Sequence, residues 1–307
     1  MSDYPTTAPK ADLVHQFHRS YRWDAISPLD TYPATLYHYT GAAGVTGILT
    51  EGKLRATNYS FLNDPTEVQH GFGLAHSALN EEKEQITRSD RKKLLAAIEE
   101  NLSKHAAAEV YVCCFTTCRD DLSQWRAYGT AMGARYCIGF STEELLERVE
   151  RRPATLLRKI EYNLDKQSAL IRRIIRTAID LVPERCLENE IRSLAEEVAG
   201  RLANLFPTMK SPSYSAEEEW RLICPVFDGD VSDVCFDPTR GVVRPYVELP
   251  VAVELPVAHD KSRIPIDEML VLAPGRQVQS VKAADMLIRK VGITNVQAKD
   301  SRVPFVE

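Results

Sequence analysis

An α+β fold is what the sequence predicts, with a mixed or antiparallel sheet core and a helical insertion. Three observations lead there. Short runs rich in β-branched and aromatic residues recur early, midway and late, at 35–40, 110–116, 136–140, 220–227, 242–249 and 269–273. Between about 165 and 206, apolar residues recur instead at three- and four-residue steps, the period of amphipathic helices. No internal repeat and no linker of domain-separating length interrupts the 307 residues. One α+β domain over 1–307 is therefore expected, with a helical excursion at about 141–207.

Each element has a local reason. Residues 1–10 are polar and Pro-containing and are expected to fray, and 11–32 suits a short helix followed by a loop. Thr35-Leu36-Tyr37-His38-Tyr39-Thr40 reads as a strand ended by Gly41, and 42–50 as a short helix stopped by Gly52. Lys53 to Tyr59 reads as the next strand, followed by a turn over 61–65. There Asp64 suits an N-cap, with Pro65 at the first helical position and Glu67 completing a capping box. Helices are expected to about Glu84 and over 89–105. Residues 110–116 form the clearest buried strand, 121–128 one or two helical turns, and 136–140 a strand. Ser141-Thr142-Glu143-Glu144 opens a further helix, and Pro183 breaks the periodic stretch into a hairpin. The late strands and a last helix at about 278–290 complete the chain.

Composition sets limits. Lys and Arg number 38 against 43 Asp and Glu, a net charge of −5, which excludes a protein holding nucleic acid through charge alone and leaves only a local basic patch. A 44% hydrophobic and 26% charged chain is not disordered. Seven scattered cysteines without a CxxC pair match neither a disulfide framework nor a structural zinc site. No apolar signal core opens the chain, and no run approaches the ~20 apolar residues of a membrane span. A reduced, cytoplasmic protein with no membrane partner is expected.

Three clusters carry candidate chemistry. In the first strand, alternation puts Tyr37 and Tyr39 on one face and His38 with Thr40 on the other. His38 suits a partner for a sugar hydroxyl or an amide, or a hydrogen-bonded structural histidine. In the second cluster, Trp125 and Tyr128 are three apart and share a helix face, as a stacking pair or as core, while Arg126 can meet a phosphate. Cys114 has no marked activating partner and reads as an inert thiol. The third is Glu217-Glu218-Glu219-Trp220-Arg221. In an extended chain Glu217, Glu219 and Arg221 point the same way, an arrangement that serves an ion-pair network or a site.

These pieces together resemble a known family. Leu36–Thr40, Gly52-Lys53-Leu54, FLNDPTE at 61–67, Cys114-Phe115-Thr116, QWRAYG at 124–129, Ile138-Gly139-Phe140, EEEWRL at 217–222 and a strand–helix unit around Val271 carry the likeness. In order and spacing they resemble the bacterial domain of unknown function family 2971 over nearly the whole chain, with FLNDPTE and EEEWRL the specific part. A more distant similarity joins a His near the first strand, an aromatic and Ser/Thr segment on a middle strand, and a late Glu-x-Glu. That set resembles the three-part site of ADP-ribosyltransferases, although the middle segment reads Cys-Phe-Thr-Thr rather than Ser-Thr-Ser.

The likeness implies an ADP-ribosyltransferase-like sheet core and NAD as a substrate, with no permanently bound cofactor and no metal. His38 would hydrogen-bond a ribose of NAD, and Tyr39 or Tyr59 would frame the pocket. Tyr128 or Trp125 would stack on nicotinamide. Glu219 would hold the 2′-hydroxyl of the nicotinamide ribose, and Glu217 would orient or deprotonate the acceptor, a protein, a nucleic acid or water. Thr40, Thr116, Arg126 and Arg221 complete the substrate-binding set, with Arg221 keeping Glu219 ionised. A toxin or phage-defence effector is the implied setting. The 14 glycines form no GxGxxG, which excludes the common Rossmann route to NAD but not this one.

Two other classes are compatible with the residues. A non-catalytic nucleotide- or nucleic-acid-binding protein would use Arg172, Arg173, Arg176, Arg185, Arg192 and Arg201 of the hairpin as a basic surface. A hydrolase would use Asp64, Glu67 and a magnesium ion.

Overall fold

The structure, a computed structural model, describes residues 12–20, 32–62, 66–104, 110–128, 133–149, 152, 155–225, 231–238, 242–252 and 264–304. The expected fraying at 1–10, the Asn63-Asp64-Pro65 helix start and the strand end at 226–227 lie outside them. The chain begins with α1 (Leu13–Ser20), β1 (Thr35–Gly41), α2 (Ala42–Glu51), β2 (Lys53–Asn58), α3 (Thr66–Gln85) and α4 (Ser89–Lys104). It continues with β3 (Val110–Thr116), α5 (Leu122–Tyr128), β4 (Arg135–Ser141), α6 (Thr142–Val149) and β5 (Leu156–Lys159). After α7 (Leu164–Leu181) and α8 (Glu188–Leu205) come β6 (Glu219–Pro225), β7 (Val234–Asp237), β8 (Arg244–Pro250), β9 (Ile266–Leu272), α9 (Gln277–Lys290) and β10 (Ala298–Asp300).

The chain forms two compact units, each gathered from three separated stretches. The first (Met1–Asp30, Asp64–Ala108, Glu161–Pro212) holds α1, α3, α4, α7 and α8. Its helices bury most of the apolar positions that the periodicity marks: Ile171, Ile174, Ile175 and Ala178 on α7, and Ile191, Leu194, Val198, Leu202 and Leu205 on α8, whereas Leu170 is half-buried and Leu187 is exposed. Asn163 caps α7 by accepting from Lys166 N at 3.0 Å, and Pro183 falls between the two helices. Inside this unit a buried ion pair joins Lys210 Nζ to Glu67 Oε1 at 2.9 Å.

The second unit (Thr31–Asn63, Glu109–Ile160, Ser213–Glu307) holds a ten-stranded sheet. Its order is β10-β9-β4-β1-β3-β2-β8-β7, with β6 alongside β3 and β5 alongside β6. The pairs are antiparallel except β9 with β10, which run parallel. The result is a mixed α+β architecture with a large, mostly antiparallel sheet. Of the span 141–207, α6 and β5 belong to this unit and α7 and α8 to the other. Leu36, Phe115, Phe140 and Leu222 lie in its main core, while Tyr39, Trp125, Cys137, Leu270 and Leu272 make a smaller cluster. Strands β5, β7 and β10 are three or four residues long, too short to announce themselves by alternation.

Gly52 shows why one residue type is needed at the α2–β2 junction. It caps α2 at φ +67° in the left-handed region, and a Cβ there would collide with the Cβ of Ala252. Gly52→Ala is expected to cost about 2 kcal/mol, read as a lowered urea midpoint at unchanged m-value. An unaltered midpoint would refute the clash. Among the described residues, no helix is long and apolar enough to cross a membrane.

Candidate functional site

Strand β3 pairs with β6 along its whole length, 110–116, so that edge is filled. The opposite edge is shared: β2 takes Tyr111 and Val112, and β1 takes Thr116 opposite Tyr37. Between them, around Cys113 to Phe115, β1 and β2 part and the sheet is split. A hollow of about 40 Å³ sits at this split, and its lining includes His38 from β1, Gln124 from α5, Glu217 just before β6 and Glu219 at its start. Register puts Tyr37, Thr116 and Glu219 side by side on one face, with Cys114 and Arg221 next along it. His38 and Phe115 belong by alternation to the other face. The split is what lets residues of both faces reach one space.

His38 is locked in one tautomer. Its Nδ1 lies 2.9 Å from the carbonyl oxygen of Cys114. A carbonyl carries no proton, so Nδ1–H donates and Nε2 is left as an acceptor. Burial pulls the His38 pKa below its ordinary value, and the bond to Cys114 only partly opposes this. The ring is therefore neutral at pH 7. Below about 6.5 the unfolded chain takes up a proton that the folded ring resists, so stability falls as pH drops from there toward the folded pKa. His38→Gln is expected to flatten the decline in urea midpoint between pH 7.5 and 5.5; an unchanged slope would assign that decline to other groups.

Glu219 and Arg221 form a buried pair. The guanidinium donates from Nε to Glu219 Oε1 at 2.7 Å and from Nη2 to Oε2 at 2.9 Å, with the two residues 2% and 1% exposed. The Arg221 guanidinium also lies 5.8 Å from the centre of the Tyr59 ring. Burial first, and then the Glu219 carboxylate, push the Cys114 thiol well above its ordinary pKa, so it offers no thiolate nucleophile.

Glu217 reaches the hollow by another route than an extended chain. A 3-10 helix runs through Pro212–Glu217, and Glu218 then takes φ +44°, in the left-handed region. The alternation expected over 217–221 thus begins only at Glu219; Glu219 and Arg221 share a face, and Glu217 is placed by the turn. That turn is stapled to the end of β3. Thr116 Oγ1 donates to the Glu217 carbonyl at 2.6 Å, and the Thr117 hydroxyl donates to the Glu218 carboxylate. Backbone held in a sparse region this close to paired acids is the kind of strain that accumulates at functional sites.

Several residues expected to touch substrate are committed elsewhere. Trp125 is fully buried, donates Nε1–H to Asp120 at 2.9 Å and meets Tyr39 edge-on at 4.8 Å, which leaves no open face for a nicotinamide ring. Tyr39 donates its hydroxyl to the Cys118 carbonyl at 2.9 Å and accepts from Asp121 N at 3.0 Å; its ring still forms part of the hollow wall. The Thr116 hydroxyl also accepts from Cys118 N at 2.9 Å. Tyr59 is buried beneath Arg221. Thr40 faces α2 at Gly44, and Arg126 is exposed; neither lines the hollow. Tyr128 ends α5, and its side chain lies outside the described residues.

Two lining residues belong to the sequence clusters but were assigned no role there. Gln124 is buried, with Nε2 at 3.5 Å from the Glu217 carbonyl. Tyr37 sits beside Glu268, which Arg119 holds through two bonds of 2.6 and 2.8 Å. Burial and the Glu268 carboxylate push the Tyr37 pKa up to about 12. Tyr37 alternates with Tyr39, and Gln124 opens the QWRAYG motif, so both lay within reach of the sequence.

Residues 124–222 match the family model described as "Protein of unknown function (DUF2971)". The matched span carries Gln124, Glu217, Glu219 and Arg221, but ends short of His38 on one side and of β7 to β10 on the other. No curated protein and no solved structure matches the chain. What the DUF2971 span shares is thus the α5-to-β6 side of the hollow.

Proposed function

We propose that the hollow grips a ribose of NAD or a related nucleotide, and that the protein is an ADP-ribosyltransferase-like enzyme cleaving the nicotinamide–ribose bond. One observation carries this reading: His38 of β1, Glu217 at the end of the 3-10 helix and Glu219 at the start of β6 line the same space. Nε2 of His38 and the carboxylate oxygens are acceptors, suited to the hydroxyl donors of a sugar. A space of about 40 Å³ holds a few waters or the hydroxyl edge of one ribose, not a nucleotide. The remainder of the ligand lies outside it.

The chemistry assigns each group a part. The C–N bond breaks with its electron pair going to nicotinamide nitrogen, which neutralises the pyridinium and leaves positive charge on the ribose. Glu219, fixed by Arg221, hydrogen-bonds the 2′-hydroxyl and stabilises that charge. The acceptor oxygen or nitrogen then bonds to the ribose carbon, and its proton passes to Glu217. ADP-ribose ends on a protein, a nucleic acid or water, and a toxin or phage-defence effector is the role this serves. Incubating pure protein with NAD and following free nicotinamide tests the reading; release no faster than in buffer overturns it.

A second reading, nucleotide binding without chemistry, is favoured by the closure of Glu219 onto Arg221. It predicts saturable NAD binding with no nicotinamide formed. The nucleic-acid form of that reading is weakened by pairing: Arg172 meets Glu81, Arg176 meets Glu82, Arg192 meets Glu188 and Arg201 meets Glu197.

A further inference from the structure

The sheet unit contains a second and larger cavity, of about 480 Å³, inside the ~300–1,000 Å³ range of small-molecule sites. It shares no residue with the hollow. Its walls come from the start of β2, the end of α6, β7 with the turn before it, and the end of β8. Lys53, Arg148 and Arg152 face it against two acids, Glu248 and Asp233.

The three cations are not equivalent. Arg148 is 6% exposed and donates to the Val251 carbonyl and to Glu144, each at 2.7 Å, so it is fixed in place. Lys53 forms an ion pair with Glu248. Arg152 differs: its side chain is 20% exposed, while its carboxylate partner, Asp233, is 72% exposed and 3.5 Å away. A largely covered arginine side chain is thus answered by an aspartate that stands in water. Pairs with so exposed a member contribute little, so an incoming anion displaces Asp233 easily.

We propose that this cavity binds the phosphate of a small organic phosphate, seated on Arg152 with Lys53 as the second cation. A phosphate presents two oxygens to the guanidinium fork and keeps another for an ammonium, whereas a carboxylate is used up by the fork. Val149, Leu249 and Pro250 line the same cavity and take the carbon part of the ligand. The site does not depend on the NAD reading.

Calorimetric titration of the full chain at constant ionic strength tests it, with phenyl phosphate, inorganic phosphate and acetate as probes. Phenyl phosphate is expected to bind saturably, inorganic phosphate more weakly for want of the apolar contact, and acetate not at all. Arg152→Gln and Lys53→Gln should each weaken phenyl phosphate about tenfold or more. Lys53 is exposed enough that its variant folds, so it decides the matter should Arg152→Gln misfold. No saturable heat with phenyl phosphate, wild-type affinity in both variants, or acetate binding as well as phosphate would each overturn the site.

Discussion

Arg221→Met is expected to cost the fold about 3–5 kcal/mol, because it removes the counter-charge from a carboxylate that is only 2% exposed. The two bonds of 2.7 and 2.9 Å are a large part of what the charge receives in exchange for its lost hydration. The loss should appear as a large fall in urea midpoint without a change in m-value. The double variant Glu219→Leu/Arg221→Met should regain most of it, since an apolar pair of similar volume needs no compensation. Equal destabilisation of the single and double variants would show that Arg221 acts through packing against Tyr59 rather than through the pair.

Glu219→Gln is the companion prediction for chemistry. A carboxylate ~4 Å from a developing positive charge, at an effective dielectric near 20, contributes about 4 kcal/mol, or roughly three powers of ten in rate. Arg221 offsets part of that field, so nicotinamide release is expected to fall about a hundred- to a thousandfold. The substitution keeps the shape of the side chain but leaves Arg221 without its counter-charge, so near-UV circular dichroism must show the variant folded at the assay temperature. A folded Glu219→Gln that releases nicotinamide at the wild-type rate would remove Glu219 from the mechanism and leave the pair a purely structural role.

Much of the scaffold was legible in the sequence, because long elements declare their periods. The strands at 35–40, 110–116 and 136–140, the α2 stop at Gly52 and the hairpin around Pro183 all follow from local residue chemistry. β5, β7 and β10 gave no such signal, since neighbouring strands rather than their own pattern hold them in place. The site was legible in part. His38 and the acid pair could be named, but the turn through Glu218 could not, because a left-handed glutamate has no sequence signature. Trp125 stayed open between stacking and core for a related reason: three-residue spacing tells which face a side chain shares, not whether that face looks out or in.

The gathering of each unit from separated stretches has a consequence for synthesis. The unit that holds α1, α3, α4, α7 and α8 has its last stretch once residue 212 has emerged from the ribosome, but the sheet unit must wait for β9 and β10. At about 5–20 residues per second, the remaining ~95 residues take on the order of 5–20 s. For that interval the nascent chain holds β1, β3 and β4 without β9, the strand that pairs with β4. No contiguous fragment ending before β9 can supply a complete sheet unit, so expression trials on shortened versions should yield insoluble product.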